Sequence, residues 1–185
     1  MGIVREAGES RPFFYNERMP IADTLLPEFD HEFATARKLL ARVPEAEYGW
    51  KPHDKSMSLG QLAAHVANIA FWATMTLTRD FYDLAANNDP EARLDPPASG
   101  QQLLKALDDK VKTARGVLAQ TTDAQMMAPW SLKHGDHVIF TLPRVAAMRT
   151  FVMNHMIHHR GQLSVYLRLK DVPLPAIYGP TADEQ

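Results

Sequence analysis

Four stretches of this chain place apolar residues at three- and four-residue steps over about 20 residues or more, and that periodicity restricts the fold more than any other feature. The first runs from about Ile21 to Val43, with Leu25, Leu26, Phe29, Phe33, Ala36, Leu40 and Val43 on one face and Pro44 as its stop. Pro27 belongs in a first turn, which points to a start later than Ile21. The second begins at Ser58, where "SLGQ" has the form of a capping box between Ser58 and Gln61, and continues to about Leu84. The third begins at Ser99, where "SGQQ" repeats the signal, and carries Leu103, Leu104, Leu107, Val111, Ala114 and Leu118 to about Gln120. The fourth runs from about Pro143 to Lys170; proline suits a first turn, and lysine the negative C-terminal end. At ~1.5 Å per residue each helix spans roughly 30–40 Å, the dimensions of an all-α four-helix bundle.

The connections differ in character. Residues 44–57 form a long loop, and "NNDPEARLDPPA" (87–98) is a proline- and acid-rich linker. "WSLKHGDHVIF" (130–140) alternates around an "HGD" turn, so a short β-hairpin is expected between helices three and four. Residues 171–185 form an irregular tail and 1–19 an N-terminal extension, giving one expected domain over 1–185.

Composition excludes several functions. A formal charge of −2 and a pI near 6.4 argue against a general nucleic-acid binder. The absence of cysteine removes disulfides, thiolate metal sites and a cysteine nucleophile. No stretch approaches the roughly 18 apolar residues of a membrane span, and the first 20 residues hold no signal-type apolar run. The expected location is cytoplasmic, with no membrane partner.

The chemistry concentrates in "NHMIHHRGQL" (154–163), three histidines in five positions. On a regular helix, at about 100° per residue, His155 and His159 share a stripe with Met148, Val152, Gln162 and Tyr166. His158 falls at its border and Arg160 on another face. An i, i+4 histidine pair chelates well, but a catalytic metal site usually takes three protein ligands and keeps an open position. His65, centred on the apolar stripe of helix two with Leu62, Ile69, Trp72 and Thr76, is the third candidate. Gln61 and Asn68 are candidates to hydrogen-bond its ring. Met156 stands where a zincin would carry its glutamate, so no general base adjoins the first ligand. His31, His53, His134 and His137 read as surface or loop residues. Histidines that only hydrogen-bond within a core remain the alternative reading.

Three segments in order, "SLGQLAAHVANI", "NHMIHHRGQLSVYLRL" and "PAIYGPTADE", resemble the DinB-like (damage-inducible) metal-binding family. The resemblance implies an up-down-down-up four-helix bundle, often a homodimer. It also implies a divalent metal held by one histidine on helix two and two on helix four, which fall here on His65, His155 and His159. Related bundles include mycothiol-dependent maleylpyruvate isomerase and bacillithiol transferases. Imidazole ligands suit Zn²⁺, Ni²⁺ or Fe²⁺. The expected function is therefore a metal-dependent enzyme acting on a small molecule, thiol S-transferase-like with a low-molecular-weight thiol or hydrolase-like. The alternative is a non-catalytic stress-response protein that binds a metal or small ligand. A homodimer is also expected because the side of helix four away from the histidines carries Ala146, Thr150, Met153, Ile157 and Ser164, which the hairpin, the tail or a second subunit must cover.

Overall fold

The computed structural model describes residues 19–86, 89–92 and 95–184. The expected extension over 1–19 lies outside these apart from Met19, as do Asn87, Asn88, Arg93 and Leu94 of the expected linker and Gln185 of the tail.

Helix α1 (Ile21–Leu40) starts at Ile21 and contains Pro27, against the later start that this proline suggested. The reason is tertiary: the Ile21 N–H donates to Asp123 Oδ1 at 2.8 Å, so a residue far along the chain fixes the helix entry. The periodic face is the buried one, with Phe29 and Ala36 fully enclosed. A short 3₁₀ turn (Glu45–Glu47) follows Pro44. Helix α2 (Leu59–Thr78) opens with the full capping box: Gln61 N–H donates to the Ser58 hydroxyl, and Ser58 N–H donates to the Gln61 side chain. Gly60 is required by close approach, because a Cβ there would lie 2.9 Å from Tyr48 Cβ.

Helix α2 ends at Thr78, short of the expected Leu84. The chain then forms strand β1 (Phe81–Asp83), which pairs in parallel with β2 (Pro129–His134). Strand β2 pairs antiparallel with β3 (His137–Pro143) around a turn in which Gly135 takes a φ of 60°. The expected hairpin is therefore present but forms two strands of a three-stranded sheet, and the fold is mainly helical with a small sheet rather than all-α.

Helix α3 (Gly100–Gln120) is capped by Ser99, whose hydroxyl accepts from Gln102 N–H. A short α4 (Asp123–Met127) follows. The last helical stretch, 144–169, is continuous but not uniform. It comprises α5 (Arg144–Ala147), a π-helical segment (Met148–Met153) and α6 (Asn154–Leu169). The wider π turn changes the facing expected for a regular helix. Met148 and Val152 are buried in the main core.

Pairwise contacts fix the helix directions. Arg37 bonds Asp108 and Arg115 bonds Asp30, so α1 and α3 run antiparallel. Trp72 packs on Phe151, and the Tyr166 hydroxyl donates to the Met57 carbonyl, so α2 and 144–169 also run antiparallel. One core joins α1, α2, α3 and α6; a smaller cluster of Phe71, Tyr82, Trp130 and Leu132 seats the sheet against α2. Among the described residues, no helix is long and apolar enough to cross a membrane.

The side of 144–169 away from the histidines is covered in part within the chain; Thr150 is exposed and Ala146, Ile157 and Ser164 are half-buried. Met153 is fully buried and Ile157 packs on the main core. Arg149 and Arg160, the two charges there, reach Glu28 and Glu32 of α1. The tail adds to that cover. Arg160 and Glu32, 1% and 5% exposed, form an ion pair at 2.6 Å. The Tyr178 hydroxyl accepts from Arg160 and donates to the Glu32 carboxylate. Asp183 accepts from Leu174 N–H and pairs with Arg168, closing the irregular segment on itself.

Arg160→Met leaves the Glu32 carboxylate buried and unpaired and is expected to destabilise the fold by about 3–5 kcal/mol. Tyr178→Phe removes a hydroxyl bonded to two charged groups but leaves their ion pair intact, and is expected to cost less, about 1.5 kcal/mol. Urea unfolding followed by circular dichroism measures both, and equal losses would show that the tail, not the ion pair, carries the stability.

Candidate functional site

The antiparallel register of α2 and α6 sets one histidine of the first opposite two of the second. His65 lies near the N-terminal end of α2, and His155 and His159 lie one turn apart in α6. Their ring centroids are 5.0 Å (His65–His155), 4.4 Å (His65–His159) and 4.7 Å (His155–His159) apart. One ring nitrogen from each lies within 4.8 Å of the other two, and all three residues are half-buried. The cluster can hold a metal ion.

The spacing bears on that capacity. His65 Nε2 and His155 Nε2 are 3.1 Å apart. Two nitrogens each bonded to one ion at ~2.0–2.1 Å, at angles between square and tetrahedral, stand about 2.9–3.4 Å apart. His159 Nδ1 lies 2.7 Å from Gln162 Oε1, an acceptor, so Nδ1 carries the proton and Nε2 keeps its lone pair for a ligand. His155 Nδ1 is buried and makes no hydrogen bond of good geometry, although the Phe151 backbone lies close enough to act on the ring.

Burial favours the neutral rings. It is the main cause that lowers His65 to a pKa of about 4, with the charges of His159 and His155 adding to it. It likewise lowers His155 to about 4, helped by His159 and opposed by the Phe151 backbone. His159 is also lowered by burial, against the opposing Gln162 hydrogen bond. Neutral imidazole is the metal-binding form.

The structure gives the remaining candidates other positions. Gln61 caps α2, and Asn68 donates to the Ala92 carbonyl at 3.0 Å, so both of the expected supports for His65 have other partners. His158 is exposed, with its ring 4.9 Å from that of His159. His31 and His53 are exposed, and His134 and His137 face each other across the hairpin turn. Gln162 is the contributor whose role the sequence reading missed; its i+3 spacing from His159 was the available signal.

A cavity of about 300 Å³ opens beside His65, with Gln61, Asn68, Ala92 and Asp95 in its wall. A larger hollow of about 650 Å³ lies by Arg79, Tyr82 and Asp89 and has none of the three histidines in its lining.

A model of the DinB superfamily matches residues 28–163. The Bacillus subtilis protein YrdA, described as uncharacterized, is 24% identical over 162 residues, covering 88% of this chain and 90% of YrdA. A crystal structure of a DinB-like protein from Bacillus cereus superposes with a TM-score of 0.62 at 19% identity, over 83% of this chain and 95% of that one. The DinB-like protein YjoA from Bacillus subtilis gives 0.59 at 18% identity, over 88% and 99%.

The lowered pKa values carry a stability consequence for metal-free protein. Between about pH 6.5 and 4 the unfolded chain binds protons at His65 and His155 that the folded chain does not. Their contribution is therefore fully present above pH 6.5 and is lost as pH falls towards 4. Urea midpoints of chelator-treated protein are expected to drop over that window, and to drop less in His65→Ala. A flat profile in both proteins would contradict the burial of these rings.

Proposed function

Because the chain belongs to the DinB superfamily, we propose that it is a metal-dependent enzyme whose divalent ion is held by His65, His155 and His159. The observation that carries this reading is the convergence of three neutral imidazoles, one of which, His65, lines a cavity, with no further histidine or carboxylate in the cluster among the described residues. Three protein ligands leave coordination room for a substrate. Such an ion, Zn²⁺, Ni²⁺ or Fe²⁺, supplies Lewis-acid polarisation and makes a bound thiol or water more acidic.

The protein's own residues do the rest. Gln162 fixes the tautomer and tilt of His159. The helix register presents His65 from the opposite side. The cavity admits a small molecule next to His65. The reaction is thiol S-transferase-like, with a low-molecular-weight thiol supplying the sulfur that this cysteine-free chain lacks, or hydrolase-like. The alternative is a non-catalytic stress-response protein that binds a metal or small ligand, which the same cavity would also serve.

The same reading takes 1–185 as one cytoplasmic domain and its four long helical stretches as an up-down-down-up bundle. The antiparallel pairings of α1 with α3 and of α2 with 144–169 support the topology. A homodimer completes the reading, with the half-buried Ala146, Ile157 and Ser164 at the contact in place of the enclosed Met153. Light scattering across a concentration series is expected to give a dimer mass, and a monomer at the highest concentration would overturn that assignment.

Each of His65→Ala, His155→Ala and His159→Ala is expected to lose stoichiometric metal, whereas His158→Ala and His134→Ala keep it. The reverse pattern would overturn the ligand assignment. Metal-loaded protein is expected to accelerate thiol addition to an electrophile or ester hydrolysis, and chelation to abolish the acceleration. Equal rates in loaded wild type and His155→Ala would remove the metal from the reaction.

A further inference from the structure

Exposure and contacts disagree at one residue of the tail. Tyr178 is 66% exposed, yet its hydroxyl sits on Arg160 and Glu32, the two most enclosed charged residues among those described. Arg160 Nη2 donates to that hydroxyl at 2.5 Å, and the hydroxyl donates in turn to the Glu32 carboxylate oxygens, 2.9 and 2.8 Å away. The guanidinium carbon also lies 5.0 Å from the centroid of the ring. So exposed a ring contributes little through burial. The ion pair beneath it has its own contact at 2.6 Å, and Arg160 Nη1 donates to the Glu32 carbonyl at 3.0 Å. What the hydroxyl adds is a connection, joining the tail to α1 and α6 at a single place. A further pair of ties repeats the pattern: Asp183 pairs with Arg168 of α6, and Glu184 with Arg42, just past the end of α1. Val172, Leu174 and Ile177 seat the tail on the main core.

Arg160 follows His159 directly. At about 100° per residue it turns to the α1 side of α6, while His159 meets His65 on the α2 side. Any roll of α6 moves both at once. A side-chain atom about 5–6 Å from the helix axis shifts by about 2 Å for a roll of roughly 20°, the length of a metal–nitrogen bond. Arg144 and Tyr166 tie this helical stretch to α2 near its two ends. Arg160 ties it to α1 at the histidines themselves. We propose that Tyr178 is a positioning residue for the three-histidine site: by bridging Arg160 of α6 and Glu32 of α1, it holds the roll of α6 at which His155 and His159 close on His65. Under the metal reading above, on which this rests, the tail is a strap across α1 and α6, and Tyr178 touches neither metal nor substrate. Phenylalanine at 178 keeps the ring over the guanidinium and leaves the ion pair in place. It removes only the bridge, and α6 gains freedom to roll.

The test titrates full-length protein with Co²⁺ and follows the ligand-field bands, whose position and intensity report the geometry around the ion. Wild type is expected to take up stoichiometric Co²⁺. Tyr178→Phe is expected to bind it about fivefold more weakly, the low end of coupling between two sites, and to show altered bands at saturation. Asp183→Asn, isosteric and at an exposed position, loosens the second tie to α6; it is expected to weaken binding about threefold with a smaller change in the bands. Asp30→Asn is the control. It breaks the Arg115 pair between α1 and α3, which involves neither α6 nor the tail, and should leave affinity and bands as in wild type. Wild-type affinity and bands in Tyr178→Phe overturn the positioning role and leave the metal site intact. A loss matched by Asp30→Asn, or one with unchanged bands, is an effect of stability alone and also overturns it. Should Tyr178→Phe fail to fold, Asp183→Asn decides by the same criteria. A wild type that takes up no Co²⁺ overturns the metal reading itself, and the strap falls with it.

Discussion

The Arg144 guanidinium, 8% exposed as a residue, donates to the carbonyls of Thr76 and Arg79 and to the Asp80 carboxylate. It thereby joins the start of the last helical stretch to the end of α2 and sets the register between them. At the other end the Tyr166 hydroxyl reaches Met57. Everything between follows from those two ties: Trp72 meets Phe151, and His65 meets His155 and His159. A slip of one helical turn moves one helix about 5.4 Å past the other. Ring nitrogens that now lie within 4.8 Å of one another would be parted by that displacement.

The second anchor acts on the far side of the same helix. Arg160 follows His159 directly and is clamped to Glu32 of α1 and Tyr178 of the tail. Rotation of α6 that swung the histidines away from α2 would also pull a buried charge from its partner. Such a pair is weak evidence for net stability, since desolvation opposes it, but it penalises the alternatives strongly. The tail is irregular in backbone yet specific in contacts, with the Asp183 carboxylate accepting from Leu174 N–H and Arg168.

Much of this was legible in the sequence, and the parts that were not share a cause. The helical segments, the Ser58–Gln61 cap, the Gly135 turn and the convergence of His65 with His155 and His159 depend on local spacing or on one face of one helix. The end of α2 depends on Arg144, which lies 65 residues beyond Arg79 in the chain, so no local signal at Leu84 could mark it. Strand β1 spans three residues and exists only because β2 offers it an edge. The start of α1 depends on Asp123. The last helix carries Arg149 and Arg160 on the side away from the histidines, and their partners Glu28 and Glu32 sit on α1, more than 120 residues back along the chain. A helical wheel shows which residues share a side, not which neighbour will occupy it.

The π-helical segment at Met148–Met153 lies between the two anchors. Upstream, α5 is tied to α2 through Arg144; downstream, α6 is tied to α1 and the tail through Arg160. These ties impose separate demands on length and rotation, and a uniform α-helix has one pitch with which to meet both. A wider turn takes up an extra residue without moving either end. The segment serves the molecule as an expansion joint does a bridge: residue-count drift between hairpin and histidines can be absorbed there, leaving both abutments where they stand.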